Sequence, residues 1–301
     1  GDDALRSNTT ANGNSALGYH SLYSNTTGLE NTAIGSFSMY SNTTGNTNVA
    51  IGPLALQDNT TGSWNIAIGT DALGSNVSGH YNLAIGRYAL QVNTADNNFA
   101  IGYKALYSNT TGTLNQGVGI RSLQYNTTGN YNTGFGTWTL KQNTTGIGNT
   151  ATGFFAMQNN TTGLYNTATG FSAMQNNTTG EANVAFGLYA LQLNTEGNLN
   201  SAFGTESLFT NTTGTNNTAL GWRSLFSNTT ANNNVGVGYQ SLYNNTTGTK
   251  NVGLGSDSLH NNTTGNNNTS VGYQALYSNT TANQNVAMGR EALYSNTTGY
   301  S

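Results

Sequence analysis

The stretch at residues 31–45, which reads NTAIGSFSMYSNTTG, is one copy of a unit that fills the whole sequence. The glycine in its middle, Gly35, has an equivalent every 17 residues from Gly18 to Gly289, except that the step from Gly86 to Gly102 is shorter by one. The Asn-Thr-Thr half of the unit can be read in 18 copies, from Asn8 to Asn296. A fixed short period of this kind is the signature of a solenoid.

The composition is unusual for a soluble domain, because only 6% of the 301 residues are charged, against about 25% in typical globular proteins. Low charge together with 35% hydrophobic residues could indicate disorder. The apolar positions are strictly periodic, however, and a disordered chain needs no such regularity. The net charge of -3 and the eight scattered Lys and Arg residues give no electrostatic reason to expect nucleic acid or an anionic membrane as partner.

The chain has no cysteine, which excludes disulfides and thiolate metal sites. No apolar run approaches the length that a membrane-spanning segment needs, so we expect no membrane insertion of this segment. The repeats begin at the first position of the unit and stop inside the last copy, and neither end resembles a cap. We therefore predict that residues 1–301 form a single repeat domain, an excerpt of or a subunit in a longer fibre.

Two rows of apolar residues repeat in phase along the chain. We call the first of them the apolar row. Its residues directly precede the glycines and are Leu17, Ile34, Ile51, Ile68, Ile85, Ile101 and their successors to Met288. Its β-branched and aromatic residues, in an alternating pattern, are typical of a strand. The leucine row lies in the other half of the unit and contains Leu5, Leu22, Met39, Leu56 and their successors to Leu293. We expect both rows to form the core.

These patterns predict an all-β fold, a parallel β-solenoid (β-roll) of about 18 coils with a 17-residue repeat and two or three short strands per coil. The Gly-x-x-Ala-Leu-x-x-Asn segment could be read as a helix, but it spans little over two turns, and helices of that length are marginal in water. The single deletion, between Asn93 and Asn98, shortens the turn and keeps Leu90 and Ile101 in phase. We therefore expect that turn to be a surface loop.

The residue before the apolar row is always small, as at Ala16, Ala33, Ala50 and Ala67. This alanine row must lie on the face opposite the apolar row. If the apolar row points inward, a close-packed neighbouring chain would explain the small outward residues, and a trimer is one way to close such an assembly. Alternatively, the alanine row lines a tight inner corner of the coil. Both interpretations remain open from the sequence.

An asparagine precedes every predicted strand. This first asparagine row contains Asn14, Asn31, Asn48, Asn65, Asn82, Asn98, Asn115 and ten later equivalents to Asn285. Its amides could bind a ligand or an ion. Recurrence in 17 copies favours a structural ladder, in which each side chain bonds to the coils above and below.

The second asparagine row opens the Asn-Thr-Thr motif and forms an N-glycosylation sequon in 16 of its 18 copies. One hypothesis is glycosylation of a secreted fibre. The other is a turn, in which Asn takes left-handed or Asx-turn geometry and Gly closes the turn. The candidates for either role include Asn25, Asn42, Asn59, Asn109 and Asn126.

Candidates for catalysis are few. His20, His80 and His260 occupy different contexts, with no Ser or Asp constellation near them in the sequence, and the acidic residues are not paired. We predict no catalytic residue, no metal site and no cofactor, and hence no enzyme. The recurring tyrosines could stack on sugars or pack across coils.

The segment Asn48-Val49-Ala50-Ile51-Gly52, with Ala55 three residues on, resembles the head repeat of trimeric autotransporter adhesins of the YadA-like type. The Ala-Leu and Asn-Thr-Thr-Gly parts are also similar to the shafts of phage tail fibres and bacterial surface fibres. The adhesin repeat is shorter than this one, and only about half of each unit matches closely. The resemblance implies a left-handed parallel β-roll that is homotrimeric, extracellular and non-enzymatic.

The leading hypothesis is therefore a non-enzymatic extracellular fibre, structural or adhesive, at a cell surface or on a virion. Its expected partners are copies of itself, in a homotrimer or filament, and a host-surface glycan or receptor. An ice- or glycan-binding β-solenoid is the first alternative, although the adjacent Thr43 and Thr44 would point to opposite sides of a strand. A β-helix polysaccharide-degrading enzyme is the second, although no break in the repeat gathers acidic residues.

Overall fold

The computed structural model describes residues 1–299, and these form an all-β parallel solenoid without helices. Each coil of the solenoid contributes one strand of three residues. The strands are β1 (Ser15–Leu17), β2 (Thr32–Ile34), β3 (Val49–Ile51), β4 (Ile66–Ile68), β5 (Leu83–Ile85), β6 (Phe99–Ile101), β7 (Gln116–Val118), β8 (Thr133–Phe135), β9 (Thr150–Thr152), β10 (Thr167–Thr169), β11 (Val184–Phe186), β12 (Ser201–Phe203), β13 (Thr218–Leu220), β14 (Val235–Val237), β15 (Val252–Leu254), β16 (Thr269–Val271) and β17 (Val286–Met288).

The strands fall into two compact units, one of residues Gly1–Gly148 with β1–β8 and one from Asn149 onward with β9–β17. Within each unit, every strand pairs in parallel with the next. Equivalent residues of successive repeats lie opposite each other, as Ala33 lies opposite Ala50. The predicted fold class and 17-residue coil are therefore confirmed. We name each coil after its first residue, so that the Gly35 coil runs from Gly35 to the residue before Gly52.

The second half of each coil is a series of turns, so the prediction of two or three strands per coil was wrong. In the Gly35 coil, Phe37 and Met39 have φ of 56° and 50°, and Thr47 has φ of 55°. These left-handed angles recur at the equivalent positions of the other coils, and a strand cannot continue through them. Such conformations cost roughly 1–2 kcal/mol for a non-glycine residue, so the surrounding coils must hold them in place.

The opening glycine is required by a close approach between coils. Gly35 has φ of 133°, a region that is nearly exclusive to glycine. A Cβ atom built on it would lie 2.6 Å from the carbonyl carbon of Gly52 in the next coil. Both the backbone angle and the neighbouring coil therefore exclude a side chain at this position.

Hydrogen bonds connect the coils through the turns as well as through the strands. The Met39 N–H donates to the Ala55 carbonyl of the next coil at 2.9 Å, and the Phe37 N–H donates to the Tyr19 carbonyl of the preceding coil at 2.9 Å. In the Asn-Thr-Thr-Gly turn, the N–H groups of residues 43–45 all approach the carbonyl of Thr60, at 3.0 to 3.3 Å. The irregular half of the coil is thus also hydrogen-bonded to the coils on both sides.

The leucine row forms the centre of the core, as predicted. Leu22, Met39 and their equivalents up to Leu276 are completely buried. Burial of such a side chain contributes about 1.5–3 kcal/mol, and every interior coil repeats the contribution.

The assignment of the two strand faces was wrong. The alanine row is buried, with Ala33 and Ala50 fully inaccessible, whereas the apolar row is not: Ile34 is 39% exposed and Leu17 is 64% exposed. The interior is narrow, because a Cβ built on Gly117 of the alanine row would lie 3.3 Å from Leu106 Cγ. Only a small residue fits between the strand and the leucine row. The alanine row thus lines an inner corner and makes no lateral contact with another chain.

Candidate functional site

The first asparagine row is a buried ladder, as predicted. Asn48 Nδ2 donates to Asn31 Oδ1 at 3.1 Å and to the Gly62 carbonyl at 2.9 Å. Asn48 Oδ1 in turn accepts from the main-chain N–H of Asn65 at 2.9 Å and from its Nδ2 at 3.2 Å. Asn31, Asn48 and Asn65 are completely buried, so these amides are occupied by one another and are not presented to a ligand.

The second asparagine row is also a buried ladder, which the sequence did not indicate. Asn42 Nδ2 donates to Asn25 Oδ1 at 2.8 Å and to the Gly45 carbonyl of its own turn at 3.1 Å. The Gly45 carbonyl also accepts from Asn31 Nδ2 at 2.8 Å, so the two ladders meet there. None of these turn asparagines has a positive φ, so of the two geometries considered for them, left-handed or Asx-turn, the left-handed one is excluded.

This geometry bears on the glycosylation hypothesis. A glycan replaces one hydrogen of Nδ2, yet both hydrogens of Asn42 and Asn59 have acceptors inside the coil. Both residues are completely buried. A sugar on either nitrogen has no exit to solvent in the folded coil, so the geometry favours the structural role for this row.

The strand face that carries the apolar row forms a regular surface within each unit. The first and third residues of each strand point outward, and the middle residue points inward. We call the first and third residues of β1–β17 the outward strand face. None of them is buried and none is charged. Its most exposed apolar members are Leu17, Phe135, Phe186, Leu220, Val286 and Met288.

Aromatic rings form stacks along the turns, so the tyrosines pack across coils. In the second unit, Phe209, Phe226, Tyr243, His260, Tyr277 and Tyr294 stack in succession with centroids 5.0 to 5.2 Å apart. The interplanar angles in this stack are at most 18°. Rings stacked in this way cover each other's faces, which leaves mainly their edges for solvent or a ligand. Glutamines continue the column, with Gln175 Nε2 donating to Gln158 Oε1 at 3.0 Å.

All three histidines make ring contacts, but only two are stacked, because the His80 ring is tilted against Tyr81 with centroids 6.3 Å apart. His20 stacks on Tyr19 with centroids 3.9 Å apart, and His260 lies between Tyr243 and Tyr277. His80 differs, because its main-chain N–H donates to Asp96 Oδ1 at 2.7 Å.

The sequence predicted no Ser or Asp constellation near the histidines. In the structure two histidines each have one acidic neighbour, since Asp3 Oδ2 lies 3.4 Å from His20 Nε2 and Asp96 accepts from the main chain of His80. His80 and Asp96 are separated in the sequence by the length of the single short coil. This spacing indicates from the sequence alone that they occupy equivalent positions in successive coils, which form one column of side chains.

The two threonines of the turn have different environments. The first threonine bonds to the next coil, as Thr43 Oγ1 donates to the Thr60 carbonyl at 3.1 Å. The second, as at Thr44, is exposed. Both lie in a turn and not in a strand. The argument that adjacent threonines point to opposite sides of a strand, and so cannot form an ice-binding array, therefore does not apply. The ice-binding alternative stays a prediction.

Asp71 is the acidic residue whose ionisation is most affected by the fold. Partial burial raises the pKa of Asp71, a hydrogen bond from Gln91 Nε2 at 2.9 Å lowers it, and the charge of Asp58 raises it. The net effect is a pKa above the ordinary value. A raised carboxyl pKa favours the protonated form in the folded state, so the contribution of Asp71 to stability is greatest at low pH and falls as the pH rises through the folded pKa.

We expect the Asp71→Asn variant to be more stable than the parent chain at pH 7, because the substitution removes a partly buried charge and keeps an acceptor for Gln91. The gain should disappear at pH 3, where Asp71 is protonated in both states. Thermal unfolding followed by circular dichroism at the two pH values measures this, and the shift should be a few degrees at most. Asp58→Asn is the matched control and should give a smaller gain at pH 7. An equal shift at both pH values would contradict the assignment.

No group of three or more His, Cys, Asp or Glu residues that could hold a metal ion occurs within residues 1–299. The same range contains no helix long and apolar enough to cross a membrane.

Comparisons with protein-family models, with curated proteins and with solved structures find no match to this chain. The resemblance to trimeric adhesin heads and fibre shafts stays a prediction.

Proposed function

We propose that this chain is the shaft of a non-enzymatic extracellular fibre, structural or adhesive, whose copies associate side by side through the outward strand face. The observation that carries the proposal is the chemistry of this face. In every strand from β1 to β17 both outward positions lack a charge, and the third position is apolar in all strands except β9 and β10. Only 6% of all residues are charged, so the feature that carries weight is the third position, which is apolar in 15 of the 17 strands. A surface in contact with water alone has no reason to keep an apolar residue there so regularly.

The occupant that fits this face is a second copy of the same chain. The centres of protein interfaces are depleted in charge and enriched in aromatic residues, and Phe135, Phe186 and Phe203 are all outward and exposed. The nine strands β9–β17 present two outward residues each, or 18 positions. A standard interface uses about 20–30 residues a side, so the outward strand face with its flanking turns is large enough. Low overall charge also gives little repulsion between copies.

The number of copies follows from the resemblance and not from the geometry. Trimeric adhesin heads suggest a homotrimer, in which three outward strand faces meet around a threefold axis. A filament of laterally associated chains would use the same face. The extracellular location rests on the same resemblance.

The test is the triple variant Ile51→Asp, Ile68→Asp and Ile85→Asp. We expect it to keep the circular dichroism spectrum of the parent chain, because none of the three side chains is buried. It should dissociate, because each copy would bring three like charges into a desolvated interface. Sedimentation velocity over the micromolar range measures the association.

The matched control carries the same three charges on another face, as Thr27→Asp, Thr44→Asp and Thr61→Asp, and these threonines are all exposed. It should associate like the parent chain. A parent chain that is monomeric throughout the micromolar range would refute the proposal. So would a strand-face variant that assembles normally.

A further inference from the structure

The Gly86 coil is one residue shorter than the others, and its shortened turn leaves a gap between the turns of the two flanking coils. We call this gap the notch. In a regular coil the carbonyl that ends the turn accepts from both asparagine rows, and in this coil Ala95 does so, from Asn93 Nδ2 at 2.7 Å and Asn82 Nδ2 at 2.8 Å. The missing residue is therefore the second threonine of the turn. Its equivalents in the flanking coils, Ser78 and Thr111, line an open space of about 440 Å³.

The shortened turn also leaves hydrogen bonds unmade. In the Gly35 coil the three N–H groups of residues 43–45 approach one carbonyl of the next coil, and even regular turns that keep fewer of these bonds, such as residues 229–231, retain the first of them. The equivalent N–H groups of Val77, Ser78 and Gly79 have no acceptor among residues 1–299. The second asparagine ladder is interrupted at the same place, since the buried Asn76 Oδ1 has no partner within that range. Unsatisfied groups of this kind cost about 1–3 kcal/mol each when water cannot reach them.

His80 and Asp96 are neighbours in one column, and both line this notch. His80 Nδ1 accepts from the Ser63 N–H at 3.1 Å, so the neutral ring carries its hydrogen on Nε2. One carboxylate oxygen of Asp96 accepts from the His80 N–H, and the other has no partner in the described part of the chain. The hydroxyls of Ser78 and Thr111 also make no hydrogen bond there. The notch thus combines several donors with one strong acceptor.

We propose that this notch binds one neutral hexose residue of a glycan. Adjacent sugar hydroxyls both donate and accept, which suits a carboxylate oxygen surrounded by N–H and hydroxyl donors. An anion would be opposed by Asp96, and a divalent cation would find only one carboxylate and one imidazole. A space of about 440 Å³ is within the range of small-molecule sites.

An exposed aromatic ring follows His80 in the chain, outside the set of residues that line the notch. Tyr81 follows His80 in the chain and is 55% exposed. Trp64 covers one face of its ring, with centroids 5.0 Å apart and an interplanar angle of 2°. On the other side the same column holds Asn97, and the His80 ring is tilted against Tyr81 with centroids 6.3 Å apart. A glycan that extends out of the notch past His80 would meet this ring.

The experiment is saturation-transfer difference NMR with the methyl glycosides of glucose, galactose and mannose at millimolar concentration. We expect transfer to at least one glycoside from the parent chain. A threonine inserted after Thr94 would restore the reading NTTA, which the chain already has at residues 228–231. This insertion should fill the notch and abolish the transfer, with an equal or higher melting temperature because the missing inter-coil bonds re-form.

Asp96→Asn tests the acceptor separately. Asparagine accepts the equivalent main-chain hydrogen bond in other coils, as Asn130 does from Thr113 at 2.8 Å, so the turn should fold normally. Loss of the charged acceptor should weaken glycoside binding about tenfold. The control Glu196→Gln changes an acidic residue in a turn of regular length and should bind like the parent chain.

Three outcomes would overturn the proposal: no transfer to any of the three glycosides, undiminished transfer in the insertion variant, or binding of inorganic phosphate in their place. Binding of phosphate would show that the notch is an anion site and not a sugar site. The association measured with the strand-face variants does not depend on the notch, so the two proposals can fail independently.

Discussion

The Leu191→Asp variant should lose about 3–5 kcal/mol of stability, because the substitution places an uncompensated charge in the centre of the core. Leu191 is completely buried and belongs to the leucine row. The total stability of a folded domain is only about 5–15 kcal/mol. The coils of a solenoid contact mainly their neighbours, so one defective coil also interrupts the stack. Urea denaturation followed by circular dichroism should show a large fall in the midpoint.

Two variants of the same coil serve as controls. Leu188→Asp introduces the same charge at an exposed position and should change stability by less than about 0.5 kcal/mol. Leu191→Met retains a long apolar side chain, as Met157 and Met174 do in the same row, and should cost less than about 1.5 kcal/mol. A midpoint for Leu191→Asp equal to that of Leu188→Asp would show that the leucine row is not the core.

The Asn200→Ala variant should cost about 2–6 kcal/mol, because it leaves at least two buried groups unsatisfied. Asn200 Oδ1 accepts from the main-chain N–H of Asn217 at 3.0 Å and from its Nδ2 at 3.1 Å. Asn200 Nδ2 donates to the Gly214 carbonyl at 2.8 Å. Alanine replaces none of these bonds, and the completely buried site admits no water without rearrangement.

Asn198→Ala is the control, since Asn198 makes a similar bond at the surface. Its Oδ1 accepts from the Glu181 N–H at 2.6 Å in an exposed environment. Water can take the place of that oxygen, so the loss should stay below about 1 kcal/mol. Chemical denaturation of both variants under the same conditions measures the difference. Equal losses would mean that the ladder adds no more than a surface hydrogen bond.

The period, the absence of helix, the buried leucine row and the first asparagine ladder could all be predicted from the sequence. Each depends on a residue type that recurs in phase, and an asparagine kept in 17 successive copies has few roles other than bonding to its own copies. The turn in the Gly86 coil was likewise correctly placed at the surface, because a deletion that preserves the phase of Leu90 must lie outside the core.

The orientation of the strand could not be predicted, because alternation separates the two faces without saying which one is inside. Large β-branched residues such as Ile34 normally indicate the core, yet here the interior has room for Ala33 only. The turns were missed for another reason. Leu22 and His20 adopt positive φ, and a leucine gives no local sign of that conformation. The neighbouring coils impose it, and this constraint is not visible in any local stretch.

The bonds between coils have a mechanical consequence. Because they join each coil to the next along the direction of stacking, tension applied to the ends of either unit loads one interface at a time. Each coil that opens releases 17 residues, as from Gly35 to Gly52, or roughly 6 nm of extended chain, while the coils behind it keep their structure. Either unit would then lengthen in small equal increments under load and absorb work at each one, as an extensible tether does.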